Sequence, residues 1–255
     1  MRVLLSGATG FVGGKVLRSL GAFNVNVLGR SKPELVNSDN FFQSKINSST
    51  DYSIALNNVD LVIHCAARAH VMNDNVSDPL AEFRSVNTAG TLNLARQAAE
   101  SGIKRFIFIS SIKVNGEATT TSPYTSDDDF IPTDPYGLSK YEAEQGLLQL
   151  AKETGMEVVI IRPTLVYGPG VKANFLSLIN LVRKRIPLPL GAINNKRSLV
   201  AIDNLVDLIV TCIDHPIAAN ETFLVSDDDD VSTTELLKRI GVAFGISPFL
   251  IPVPR

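Results

Sequence analysis

The chain has 255 residues, 45% of them hydrophobic, with 24 basic and 26 acidic side chains and a formal net charge of −2. That is enough apolar material for one substantial core and a smaller second lobe, and it excludes disordered and disulfide-stapled chains. So little net charge, with the two signs mixed along the chain, gives no electrostatic footprint for nucleic acid or an anionic membrane, and the expected partners are small molecules. Cys65 and Cys212 each sit in an apolar run, as small hydrophobes of a reducing compartment do. Met1 leads straight into a strand pattern without the segments of a signal peptide, and no apolar run has the length of a membrane span, so the expected address is cytoplasmic.

Strand-length apolar runs alternate with helix-period stretches, which predicts an α/β protein: a Rossmann-type doubly wound parallel sheet with helices on both faces. In chain order, Val3-Leu4-Leu5 is the first strand, residues 13–20 a helix, 25–28 a strand and 61–63 another. A long helix over 79–101, a strand over 105–109, a helix over 136–154 and a strand over 158–161 complete the series. Beyond Arg162-Pro163 the chain is broken by Gly168-Pro169-Gly170, Pro187 and Pro189, the texture of a second lobe. Residues 222–225 look like a strand, and Ser232-Thr-Thr-Glu235 before Leu236-Leu237 is a capping box that starts a helix. The expected organisation is a dinucleotide-binding domain over 1–163, with 198–226 returning to it, and a small C-terminal substrate lobe over 164–197 and 227–255. That lobe is expected to be incomplete at its C-terminal end.

Gly7-Ala-Thr-Gly10-Phe-Val-Gly13 joins the first strand to the first helix. Glycines there allow a tight turn, close approach of backbone to a phosphate, and free helix N–H groups aimed at negative charge. The spacing is one residue wider than the usual dinucleotide fingerprint, so alone it also fits a ligand-free turn. The second strand ends in Gly29-Arg30-Ser31 with no acid to hold the adenosine ribose hydroxyls. Arg30 with Ser31 can instead form a pocket for a 2′-phosphate, which favours NADP over NAD, the alternative being a solvated surface arginine.

Tyr136-Gly-Leu-Ser-Lys140 places a phenol and an ammonium one helical turn apart. A fixed cation favours phenolate and would bring the tyrosine toward neutral pH. Ser110-Ser111 ends the strand over 105–109, where polar residues face the ligand crevice of a parallel sheet, and a serine hydroxyl there can hydrogen-bond a reacting oxygen.

With His64-Cys-Ala-Ala67, Asn87 and Arg162-Pro163, these motifs resemble the extended short-chain dehydrogenase/reductase family, the nucleotide-sugar epimerases and dehydratases, over essentially the whole chain. The resemblance implies hydride exchange between nicotinamide and a sugar carbon. Tyr136 would be the acid/base, Ser111 its partner on the sugar oxygen, and Lys140 the residue that tunes Tyr136 and binds the nicotinamide ribose. The cofactor side would comprise Gly7, Thr9, Gly10, Phe11, Val12 and Gly13, then Arg30, Ser31, Ile46, Ala66, Ala67, Asn87 and Pro163. Asn174 and Arg197 match positions that touch the substrate diphosphate, and Lys113 either contacts substrate or is solvated.

Family dehydratases carry Asp-Glu after the catalytic Ser or Thr, and Ile112-Lys113 here speaks against 4,6-elimination. Lys45 stands where the family usually has an acid, which puts the adenine contact there in doubt. The leading expectation is a C4 epimerase of a UDP-hexose or UDP-N-acetylhexosamine, the rival a 4-keto-sugar reductase, and the third reading an inactive cofactor-binding scaffold; a homodimer is left open. No metal site is expected. His64, His70 and His215 are scattered, His64 reads as a hydrogen-bonded structural histidine, and Asp227 to Asp230, like Asp127 to Asp129, reads as a solvated turn.

Overall fold

The computed structural model describes residues 1–69, 78–128 and 130–253. His70, Asp129 and residues 254–255 lie outside them. The chain divides into two compact units, Met1–Pro163 with Val206–Val225, and Thr164–Leu205 with Ser226–Arg255.

The first unit is built on a seven-stranded sheet in the order β3-β2-β1-β4-β5-β6-β9, every neighbouring pair parallel. The strands are β1 (Arg2–Ser6), β2 (Asn24–Gly29), β3 (Phe41–Gln43), β4 (Leu61–His64), β5 (Arg105–Ile109), β6 (Glu157–Pro163) and β9 (Thr222–Val225). Both faces are covered, which is why β4 and β5 are buried at every residue and read in sequence as unbroken apolar runs. Leu4, Val62, Phe106, Val158 and Ile160 pack with Leu94 and Ala98 of α4 (Thr91–Glu100) and with Ala143 and Leu147 of α5 (Pro135–Thr154).

The sheet order reverses between β1 and β4, so the connections leave in opposite directions and open a crevice beyond those strand ends. Three helices serve it. α1 (Phe11–Ser19) follows the glycine turn. The predicted helix over 79–101 is α3 (Pro79–Phe83) and α4 joined by a π-helical stretch, Arg84–Gly90, whose widened turn carries buried Asn87. α5 is fixed at both ends: Pro135 enters its first turn, the Asp134 carboxylate accepts from the Gly137 N–H at 3.0 Å, and Gly155 closes it at φ +74°. A short helix, α2 (Ser53–Leu56), and the three-residue β3 were not anticipated.

The second unit holds a two-stranded parallel sheet of β7 (Leu165–Tyr167) and β8 (Leu199–Ala201), with α6 (Ala173–Arg183) and α8 (Thr233–Ala243). Its core includes Phe175, Val182, Leu188, Leu199, Leu237 and Ile240. Ser232 caps α8 by accepting from the Glu235 N–H at 3.0 Å. The return to the first unit starts at Val206, within α7 (Ile202–Thr211), rather than at residue 198, because β8 pairs with β7 instead of joining the large sheet. The acidic run at Asp227 is also more than a solvated turn: its carboxylate accepts from Tyr167 Oη, the Ala201 N–H and Asn204 Nδ2, tying β7, β8 and α7 together. Asp229 pairs with Arg239, and Asp230 accepts from Ser198.

Candidate active site

Everything in this site belongs to the first unit. After β1 the chain turns at Gly7, whose φ of +76° only glycine adopts cheaply, and the Gly10 N–H closes the turn on the Gly7 carbonyl at 2.9 Å. A Cβ on Gly7 would stand 2.6 Å from the Ala66 nitrogen, and one on Gly13 would strike the Gly7 carbonyl oxygen. Gly10 caps α1 without a side chain, leaving the first N–H groups of the helix free for an anion.

A cavity of about 620 Å³ lies over this turn. Gly7, Thr9 and Gly10 form its floor, Arg30 and Ser31 one end, and Ile46, Ala66 and Ala67 further wall. Phe11, Val12 and Gly13 sit in the first turn of α1 rather than among the wall residues. Asn87 and Pro163 are buried and also off the wall. Asn87 is a clamp instead: its side chain accepts from the Arg68 N–H at 2.8 Å and donates to the Arg68 carbonyl and to Ser139 Oγ, both at 3.0 Å. It thereby ties the loop after β4 to α5. Sequence reasoning missed Cys65, Arg68 and Val86, which also line the cavity. Ser44 and Lys45 border the same end as Arg30 and Ser31, where the wall carries no carboxylate.

A dinucleotide fits these residues. The cradle at Gly7 has no room for a side chain, the uncapped helix end offers N–H donors to a pyrophosphate, and the crevice stands at the reversal of strand order. His64 braces it from below as a neutral structural histidine. Its Nδ1 meets Ser6 Oγ at 2.7 Å and its Nε2 meets Thr91 Oγ1 at 2.9 Å, and burial with the Lys140 charge pushes it down to about 3.

Three residues in a row at the exit of β5 meet α5. The Ile109 carbonyl accepts from Lys140 Nζ at 2.7 Å, Ser110 Oγ donates to Glu144, and the Ser111 hydroxyl stands beside the Tyr136 phenol. The two serines thus separate, Ser110 into the core and Ser111 toward the tyrosine. Phe83 packs edge-on to Tyr136 at 5.9 Å between ring centres. Lys140 is only 1% exposed and lies 4.1 Å above the centre of the Phe108 ring.

The electrostatics differ from the sequence expectation. Burial pushes the Tyr136 phenol up to about 12, with Ser111 favouring the ionised form and Asp134 opposing it. Desolvation likewise takes Lys140 down to about 7, against the fields of Glu144 and Cys65. The cation expected to acidify the tyrosine is thus itself weakened by the dry site that holds it. Lys113 is engaged by Glu117 at 2.5 Å and lies 3.7 Å from Asp134. In the second unit, Asn174 is exposed in the first turn of α6, and Arg197 is exposed, its backbone bridged to Val231.

A family model described as NAD dependent epimerase/dehydratase family matches residues 3–226. The chain belongs to that family. Within the epimerase/dehydratase family it is 57% identical over 257 residues to a UDP-glucose 4-epimerase of Vibrio cholerae, with 99% of this chain and 78% of that protein covered. The UDP-glucose 4-epimerase of Thermotoga maritima, solved with UDP-glucose, superposes with a TM-score of 0.81 at 25% identity, covering 100% of this chain and 86% of that one. The Thermus thermophilus UDP-glucose 4-epimerase, solved with NAD, gives a TM-score of 0.81 at 24% identity over 100% and 86% of the two chains, a likeness of fold. Among the described residues no helix is long and apolar enough to cross a membrane.

Proposed function

We propose that this protein is an NAD(P)-dependent epimerase that inverts C4 of a nucleoside-diphosphate hexose or N-acetylhexosamine, with UDP as the expected nucleotide, through a 4-keto intermediate. The observation that carries the reading is the convergence of Tyr136, Ser111 and Lys140 at the sheet edge that bears the cavity, in a chain of this family.

The bound nicotinamide supplies reversible hydride acceptance. Tyr136 takes the proton of the sugar 4-hydroxyl and returns it to the same oxygen when hydride is delivered back to the other face of C4, and the Ser111 hydroxyl hydrogen-bonds that oxygen in both directions. A phenol pushed up to about 12 holds its proton at neutral pH. Removing its proton requires the charge of Lys140 and the Ser111 hydrogen bond to support the phenolate. Residues 112 and 113 are Ile and Lys within a 3₁₀ turn, so no carboxylate stands there to drive elimination of water. Asn174 and Arg197 are carried as diphosphate contacts on the resemblance alone.

NADP(H) is the preferred form in this proposal. Arg30 and Lys45 provide two cations, and Ser31 and Ser44 two hydroxyls, at one end of the cavity. Isothermal titration should give NADPH about tenfold tighter binding than NADH, the worth of one charge-assisted hydrogen bond, with the gap removed in Arg30→Ala. Equal or tighter NADH binding overturns the preference. The same cations favour a second reading, reduction of a 4-keto nucleotide sugar, because a reducing NADPH pool drives one-way hydride delivery. Incubation with UDP-sugars and UDP-4-keto sugars separates the two: net oxidation of added NADPH selects the reductase, and inversion without net redox selects the epimerase.

A further inference from the structure

Tyr136, Lys140 and Glu144 lie one helical turn apart along the buried side of α5. The first two have roles in the proposed reaction, and Glu144 has none. Yet Glu144 is 0% exposed, and three side-chain donors hold it: Arg162 grips it two-pronged, Nε at 3.1 Å and Nη2 at 2.6 Å, and Ser110 donates its hydroxyl. Arg162 is in turn anchored on Asn115 Oδ1 at 3.0 Å and on the Ser126 carbonyl at 3.2 Å. Held by three side-chain donors, the Glu144 side chain is fixed in place.

We infer that Glu144 is a positioning residue for the reaction: its locked carboxylate, one turn along α5 from Lys140 and bonded to the strand exit that receives Lys140, keeps that buried ammonium charged and aimed. The inference rests on the catalytic reading of Tyr136 and Lys140 given above. Among the described residues, the titratable groups around Lys140 are Tyr136 and Glu144 on its own helix, His64 at the end of β4 with Cys65 just after it, and Arg162 from β6 through Glu144. At neutral pH three of these are uncharged: burial takes His64 down to about 3, and pushes Cys65 and Tyr136 up to about 12. Glu144 therefore supplies the negative field that opposes the desolvation of Lys140. The backbone repeats the coupling, because Ile109 accepts from Lys140 while the next residue, Ser110, donates to Glu144.

The sign follows. Lys140 supports the phenolate only while protonated, so turnover falls as pH rises through its pKa, and loss of the Glu144 charge lowers that pKa. Glu144→Gln should move the alkaline limb of the kcat profile down by about one pH unit, with KM for the sugar little changed at low pH. Glu144→Asp should restore most of the limb. Because Glu144→Gln leaves Arg162 buried without its partner, the double variant Glu144→Gln/Arg162→Gln is made alongside it, and a smaller shift in the same downward direction is expected, since the more distant Arg162 charge leaves with its partner. Thermal midpoint and NADPH affinity identify the folded variants. A merely structural ion pair would lower stability and leave the limb in place, so a folded variant whose limb coincides with the parent overturns the inference. If Tyr136→Phe is inactive at every pH while the Glu144→Gln limb is unmoved, the catalytic reading stands and this inference alone falls.

Discussion

Tyr136→Phe should lower turnover by about 10²- to 10⁴-fold, the range that a positioned acid/base contributes, while NADPH affinity changes little. The variant removes one oxygen and keeps the ring that Phe83 packs against, so the N-terminal turn of α5 should hold its place. The loss should appear in kcat, because the proton transfer belongs to the transition state, and KM should move less. Steady-state turnover with the best UDP-sugar, together with calorimetric titration of the cofactor, checks both halves. Retained turnover would remove Tyr136 from the chemistry.

Gly7→Ala should abolish cofactor binding and cost about 2–5 kcal/mol of stability. Two effects add. The residue sits at φ +76°, where an L side chain is strained, and its Cβ would meet the backbone of Cys65 and Ala66 at 2.7 and 2.6 Å. Neither neighbour is the end of a flexible side chain, so the loops leaving β1 and β4 must spread, and those loops are the floor and wall of the cavity. Gly21→Ala is the control, since a Cβ there meets nothing within 4 Å. Thermal denaturation and NADPH titration of both variants give the comparison, and a Gly7→Ala protein with parental affinity would contradict the placement of the pyrophosphate.

What the sequence disclosed was the local part of the molecule. The glycine turn, the Tyr136 to Lys140 spacing and the Ser232 cap are each written within one turn or loop, and their geometry follows from a few adjacent residues. The parallel sheet was legible because strands covered on both faces carry unbroken apolar runs. Interactions joining distant segments were not legible. Asn87 is spent on the Arg68 peptide and Ser139, a clamp that depends on a π-helical turn with no composition of its own. Glu144 and Arg162 stand 18 positions apart, so nothing local pairs them, although Tyr136, Lys140 and Glu144 follow one another turn by turn along α5. Residues 198–205 were expected to return to the first domain because three apolar residues cannot announce their partner, and only the pairing of β8 with β7 puts them in the second unit. The expected acidification of Tyr136 failed for a related reason: sequence gives the spacing of a charge but not the burial that works against it.

The central claim is that the hydrogen removed from C4 of the sugar returns to the same carbon on its other face. Its most direct test is incubation of the enzyme and cofactor with a UDP-hexose deuterated at C4, followed by NMR of the sugar pool. The account predicts the C4 epimer with the deuterium retained at C4 and no net change in reduced cofactor. Epimer that has exchanged its C4 label with solvent, or product formed only with stoichiometric consumption of NADPH, would contradict it.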